Sequence, residues 1–285
     1  MILRIEAPAK VNLYLHVTGK RADGYHLLDS LIAFAGTGDT LELEPAGTLE
    51  LTVTGPTATA LPDGEENIVL TAAKALAARA GITAGARMVL TKRLPVAAGI
   101  GGGSADAAAA LKGLAQLWGS TLSEAEMMAL ALSLGADVPV CLAGKPMAVS
   151  GVGEHMRAAP DLPTAWLVLV NPRVPLSTPS VFKARHGCFT DPAPLETRPT
   201  DAHALADLLG RRRNDLTAAA LSLVPQIGEA LALIAATPGC LLARMSGSGA
   251  TCFGLYASET DAVTASASLS ALQPGWWVAA APLLS

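Results

Sequence analysis

Four glycines in five positions, Gly99, Gly101, Gly102 and Gly103, stand between a predicted strand over Arg87 to Lys92 and a predicted helix over Ala105 to Trp118. A chain that passes from strand to helix with so few side chains exposes backbone N–H groups at the positive end of a helix dipole. Glycine also lets an anion reach the backbone without meeting a Cβ. The run Pro95-Val96-Ala97-Ala98-Gly99-Ile100-Gly101-Gly102-Gly103-Ser104-Ala105 has two readings, a tight turn without a ligand and a phosphate cradle. The density of glycine and the hydroxyl of Ser104 directly after it weigh toward the cradle. Three familiar loops are excluded by inspection. A P-loop needs a lysine after its last glycine, and none follows Gly103. The dinucleotide fingerprint fails at Ser104, and the nucleophile elbow fails at Asp106.

The rest of the chain must supply a core able to carry such a loop. At 285 residues and 51% hydrophobic, with only 4% aromatic, it predicts small side chains packed tightly in two domains. Twenty basic against 24 acidic residues leave a net charge of −4, which gives no electrostatic case for nucleic acid or an acidic membrane. The one basic run, Arg211-Arg212-Arg213 beside Asn214-Asp215, reads as a solvated helix end. Cys141, Cys188, Cys240 and Cys252 are far apart and read as reduced, mostly buried thiols, and the histidines form no ligand pair. No leader pattern opens the sequence and no apolar stretch reaches the ~20 residues of a membrane span. A soluble cytoplasmic protein is expected, and nothing in the pattern assigns an oligomeric state.

Periodicity orders the elements. From Lys10 to Val17 apolar residues alternate with Asn12, Tyr14 and His16, the mark of a half-buried strand. Leu41 to Glu44 and Leu49 to Val53 flank Pro45-Ala46-Gly47 and predict a hairpin. A helix is expected from Asn67 to Ala80, closed by Gly81. Another follows the capping box Ser123-Glu124-Ala125-Glu126 and ends at Gly135, so that Asp137 falls in a short turn beyond it. Trp166 to Val170 predicts a buried strand opening a second domain, and the proline-rich stretch from Thr190 to Ala202 a mobile loop. Helices are predicted over Ala202 to Arg212, Val224 to Ala236 and Glu259 to Ala271. Strands are predicted over Leu241 to Met245, Thr251 to Tyr256 and Trp276 to Ala281. The mixture gives an α+β class.

Taken singly, the chemical candidates have bland readings. Lys10 opens a strand and is by default solvated; Asp137 follows a helix end, as carboxylates often do. The second glycine cluster, Met245-Ser246-Gly247-Ser248-Gly249-Ala250, is by itself a hairpin turn, though beside the first loop it can close over the same phosphates. Asp23-Gly24-Tyr25-His26 offers a stacking face and a hydrogen-bonding edge for a planar base, or simply a loop with a half-buried tyrosine. Yet phosphoryl transfer needs little beyond alignment, charge neutralisation and a group that accepts the hydroxyl proton.

Four segments carry a resemblance that spans nearly the whole chain. They are Ala7 to Leu15 continuing through Gly19 to His26, Pro95 to Ala105, Gly135-Ala136-Asp137-Val138-Pro139, and Met245 to Gly249. Together they resemble the GHMP kinase superfamily. The resemblance implies an N-terminal domain (1–160) like that of ribosomal protein S5 domain 2 and a ferredoxin-like C-terminal domain (161–285). It further implies an ATP-dependent kinase acting on a small alcohol that carries a cytidine diphosphate. Asp137 would be the general base and Lys10 would hold the hydroxyl and the γ-phosphate in line. Pro95 to Ala105 would form the ATP loop, with Gly99 to Ser104 cradling the phosphates and Ser104 near a Mg²⁺ ion. Tyr25 and Phe182 would sandwich the cytosine, His26 would read its edge, and Asn12 and Thr178 would touch the diphosphate or polyol part. Ala105 departs from the pattern where a second serine is common, and Asp106 where Asn also occurs. Arg185 to Leu209 matches no family pattern. The rivals are a GHMP kinase for homoserine, mevalonate or a sugar, and a nucleotide-binding module without catalysis; a hydrolase using Ser104 is remote, since no histidine pairs with it.

Overall fold

The computed structural model describes residues 2–58 and 67–285. By compactness it divides into Met1–Ala9, Gly38–Val96 and Gly101–Gly144 on one side and Lys10–Thr37, Ala97–Ile100 and Lys145–Ser285 on the other. The glycine-rich loop therefore contributes to both units, with Ala97–Ile100 in the second and Gly101 onward in the first.

The first unit holds the beginning of β1 (Leu3–Lys20), the end of β2 (His26–Ala46), β3 (Leu49–Thr54), α1 (Ile68–Ala80), β4 (Gly85–Thr91), α2 (Gly102–Trp118), α3 (Glu124–Leu134) and α4 (Val138–Ala143). The hairpin expected around Pro45-Ala46-Gly47 does not form. β4 lies between the two strands, antiparallel to β2 (Thr40↔Thr91) and parallel to β3 (Leu49↔Ala86). The reason is burial. β4 brings Ala86, Met88 and Leu90 into the core, whereas no residue of β3 is fully buried, one face being half-buried and the other exposed, and it occupies an edge. A parallel pair needs a crossover, and α1 supplies it. α1 begins where Asn67 Oδ1 accepts from Val69 N at 2.9 Å and ends at Gly81 with φ 65. The capping box at Ser123 forms as expected. On α2 the alanines from Ala107 to Ala110 are all buried, which lets α1 and α4 pack closely against it.

The second unit continues β1 and β2 with β5 (Met147–Gly151), β6 (His155–Ala158), β7 (Trp166–Asn171), α5 (Thr178–Ala184), α6 (Ala202–Gly210), α7 (Thr217–Leu223), α8 (Gln226–Ala235), β8 (Leu242–Met245), β9 (Cys252–Tyr256), α9 (Glu259–Leu272) and β10 (Trp277–Leu284). Its strands run in the order β2-β10-β7-β9-β8, all antiparallel, and β5 pairs with β2 (Leu28↔Gly151). Val168, Val170, Ile227, Ile234 and Leu269 belong to one apolar core.

Three expectations change here. β1 is buried on both faces, not one: Asn12, Tyr14 and His16 are 4%, 0% and 2% exposed. Burial of that polar face is tolerated because partners reach it, Tyr14 Oη donating to Asp29 Oδ1 at 3.0 Å and Asn12 Nδ2 to Ser30 Oγ at 2.8 Å. The loop from Thr190 is pinned rather than loose. Asp29 Oδ2 accepts from Ala193 N at 2.7 Å, and Arg212 donates to the carbonyls of Ala193 (2.6 Å) and Pro194 (2.9 Å). The arginine run is accordingly not uniformly solvated, since Arg212 is half-buried over the Tyr14 ring, 5.4 Å from its centroid.

Candidate active site

In the first unit Gly101 caps α2 at φ 64 without any side-chain help, and the first helical bond runs from Ala105 N to Gly101 O at 2.8 Å. Among the described residues the N–H groups of Gly102, Gly103 and Ser104 have no protein acceptor. The glycines here are not dictated by packing: a Cβ on Gly102 would sit 3.6 Å from Lys92 Nζ, and one on Gly103 would sit 3.9 Å from Ile68. Three unpartnered amides at a helix N-terminus suit an anion.

A buried ion cluster fixes this junction from behind. Lys92 Nζ donates to Asp106 Oδ2 at 2.6 Å and to Asp39 Oδ2, and Asp39 Oδ1 accepts from the backbone of Arg93 (2.5 Å) and Leu94 (2.9 Å). The carboxylates thus tie the end of β4 to the start of α2. Burial, with the charge of Asp39 added, pushes the Asp106 carboxyl up to about 7 against the pull of Lys92. Burial would lower the Lys92 ammonium, but the two aspartates outweigh it and raise it. Asp137 occupies the N-cap position of α4, yet its carboxylate does not cap that helix; the residue is half-buried, on an element packed against α2.

In the second unit the other half of the loop meets the second glycine cluster. Thr251 donates to Ala98 O from both N (3.2 Å) and Oγ1 (2.6 Å), and Lys10 N donates to Ile100 O at 2.9 Å. Gly99 is held at φ 74, where a Cβ would lie 2.2 Å from Gly249 O. Only glycine fits. Lys10 is 5% exposed, against the default of a solvated lysine. Asn12 N donates to Ser246 Oγ at 3.0 Å, and the hydroxyls of Thr178 and Ser248 are 2.7 Å apart. Lys10, Asn12, Ala97 to Ile100, Thr178 and the second turn are therefore brought together.

The base-reading candidates lie at the start of β2 and on α5. His26 stacks on Phe182 with centroids 5.0 Å apart and planes 26° apart, while Tyr25 is 67% exposed. Burial, then the nearby Lys20 and Arg185, lowers the His26 imidazole below its usual value, which favours the neutral ring with one donor and one acceptor. Nothing in the periodicity marks Asp39, Lys92, Asn214 or Thr251. The one available signal is an aspartate inside an apolar strand, which needs a buried partner.

Residues 67–145 match the family description "GHMP kinases N terminal domain" and residues 195–274 "GHMP kinases C terminal". A 4-diphosphocytidyl-2-C-methyl-D-erythritol kinase of Paramagnetospirillum magneticum is 66% identical, covering 99% of this chain and 98% of its own. The chain belongs to this family of GHMP kinases. A second relative with the same description, from Rhodospirillum rubrum, is 57% identical over 98% of this chain and 91% of its own. A crystal structure of 4-(cytidine 5'-diphospho)-2C-methyl-D-erythritol kinase is 34% identical with a TM-score of 0.84, covering 99% of this chain and 100% of that one. The chain is thus a kinase of α+β class with the two-domain GHMP fold. No described helix is long and apolar enough to cross a membrane.

Proposed function

We propose that this kinase transfers the γ-phosphoryl group of ATP to the 2-hydroxyl of 4-diphosphocytidyl-2-C-methyl-D-erythritol, a step of non-mevalonate isoprenoid biosynthesis. The observation that carries the substrate is the 66% identity to a relative so described. The site agrees with it in one respect a homoserine or mevalonate kinase would not need: a stacking pair, His26 and Phe182, beside the exposed ring of Tyr25. We assign the cytosine to Tyr25, His26 and Phe182, and the diphosphate or erythritol part to Asn12 and Thr178.

The amides from Gly99 to Ser104, within the loop Pro95 to Ala105, cradle the ATP phosphates. Glycine at 102 and 103, where a Cβ would meet no clash, fits that role. Asp137 takes the proton of the acceptor hydroxyl, and Lys10 holds that oxygen in line with the incoming phosphoryl group. A Mg²⁺ ion would be held chiefly by phosphate oxygens and water, with the Ser104 hydroxyl as the protein's contribution; among the described residues no group of three or more His, Cys, Asp or Glu could hold a metal ion by itself. When bound, it neutralises charge developing on the phosphates. We place the boundary between an ATP-binding domain (1–160) and a C-terminal domain (161–285) in the interval between the two family matches, which end at 145 and resume at 195, although Lys10–Thr37 and Lys145 onward pack with the second compact unit. Four cysteines present as free thiols support a cytoplasmic setting.

The test is ADP release with the cytidyl substrate, homoserine and mevalonate in parallel. Turnover with the first alone is expected; a preference for either of the others overturns the assignment. Asp137→Asn should lower turnover by roughly 10²–10⁴ with acceptor binding retained. Near-normal turnover would remove Asp137 from the mechanism.

A further inference from the structure

Asn214 adjoins the arginine run, but it is 6% exposed and its carboxamide is wholly committed. Nδ2 donates to Met245 O at 2.8 Å and to Gly247 O at 2.7 Å, while Oδ1 accepts from Leu216 N at 2.9 Å. Two carbonyls on one side and an N–H on the other fix which atom is nitrogen.

The turn that Asn214 grips closes on itself with Gly249 N to Ser246 O at 2.9 Å, and Ser246 N is spent on Thr251 O at 2.9 Å. The N–H groups of Gly247 and Ser248 have no protein acceptor among the described residues. Gly247 stands at φ 55, and Asn12 Oδ1, itself buried and unpartnered, lies 3.2 Å from where its Cβ would be. The carbonyls of the turn are thus anchored inward and its two unpartnered amides are consecutive, the arrangement of an anion-binding nest.

We propose that Asn214 is a positioning residue for phosphoryl transfer, holding the carbonyls of Met245 and Gly247 so that the amides of Gly247 and Ser248 remain presented to the phosphate oxygens of a bound substrate. The proposal rests on the reading that this turn faces phosphates. Those phosphates belong either to ATP or to the diphosphate of the acceptor, and the two sources separate kinetically.

Asn214→Ala and Asn214→Ser are made in the full chain. KM and kcat for both substrates are measured well below the melting temperature of each variant. Asn214→Ala is expected to raise one KM at least about tenfold and leave the other unchanged, with Asn214→Ser, which keeps one donor, in between. A rise for ATP assigns the turn to the nucleotide, and a rise for the cytidyl substrate assigns it to the acceptor diphosphate. A lowered melting temperature with both KM values and kcat unchanged overturns the proposal, since a purely structural residue would do only that. Should Asn214→Ala fail to fold, Asn214→Ser decides alone. Amide NMR of the unsubstituted protein tests the underlying reading separately. If neither ATP nor the cytidyl substrate moves the Gly247 and Ser248 signals, the turn does not face phosphate; if they move while Asn214→Ala and Asn214→Ser keep normal kinetics, only the role of Asn214 falls.

Discussion

The two halves of the glycine-rich loop use the same residue for opposite reasons. At Gly99 the backbone is at φ 74 and Gly249 O occupies the place of a side chain, 2.2 Å from an ideal Cβ. At Gly102 and Gly103 the nearest atoms are 3.6 and 3.9 Å away. Gly99 is demanded by the protein, whereas a Cβ at Gly102 or Gly103 would make only ordinary van der Waals contact, so the fold does not require glycine there. The fastenings differ as well. The charged cluster Asp39, Lys92 and Asp106 secures the helix end, while neutral groups, Thr251 and Asn171, secure the other half, with Asn171 Nδ2 donating to Thr251 Oγ1 at 2.8 Å. A glycine cluster in a sequence is therefore not one signal but two.

The largest effect expected from this contrast is on Gly99→Ala. A backbone clash combined with a disfavoured φ should cost about 4 kcal/mol or more, and little folded protein should be recovered. Wild-type melting behaviour in that variant would show that the loop accommodates a side chain and would erase the contrast. Next comes Lys92→Met, which strands two buried carboxylates without a cation and should cost about 3–5 kcal/mol in denaturant unfolding. A cost below about 1 kcal/mol would mean that the cluster does not fasten the junction. Asp106→Asn removes a carboxylate but keeps its shape, and should cost less than Lys92→Met.

Much of this was legible in the sequence wherever the cause is local. Asn67 and Gly81 bound α1 because capping and left-handed backbone are properties of single residues. The capping box at Ser123 and the strand at Trp166 follow for the same reason. What failed was partner choice. Alternation shows that Leu41 to Glu44 and Leu49 to Val53 are strands, but not that β4 will come between them. Burial of the polar face of β1 was equally hidden, because Asp29 and Ser30, which satisfy it, lie on β2. The site divides similarly: the glycine loops and the Lys10 and Asp137 segments stand out as motifs. Asp39, Lys92 and Asn214 are ordinary residues until the fold gives them partners. The short α4, α5 and α7 leave too few turns for a periodic signal.

The most direct test of the central claim, that bare glycine at the mouth of α2 exists for the nucleotide and not for the fold, is ATP binding to Gly102→Val measured by calorimetry beside its melting temperature. The helix dipole supplies only about 0.3–1 kcal/mol, so close backbone approach is the larger part of what the substitution removes. The account predicts a melting temperature within about 4 °C of the unsubstituted protein and ATP affinity weakened by about tenfold or more, roughly 1.4 kcal/mol. Unchanged ATP affinity in a folded Gly102→Val protein would contradict it.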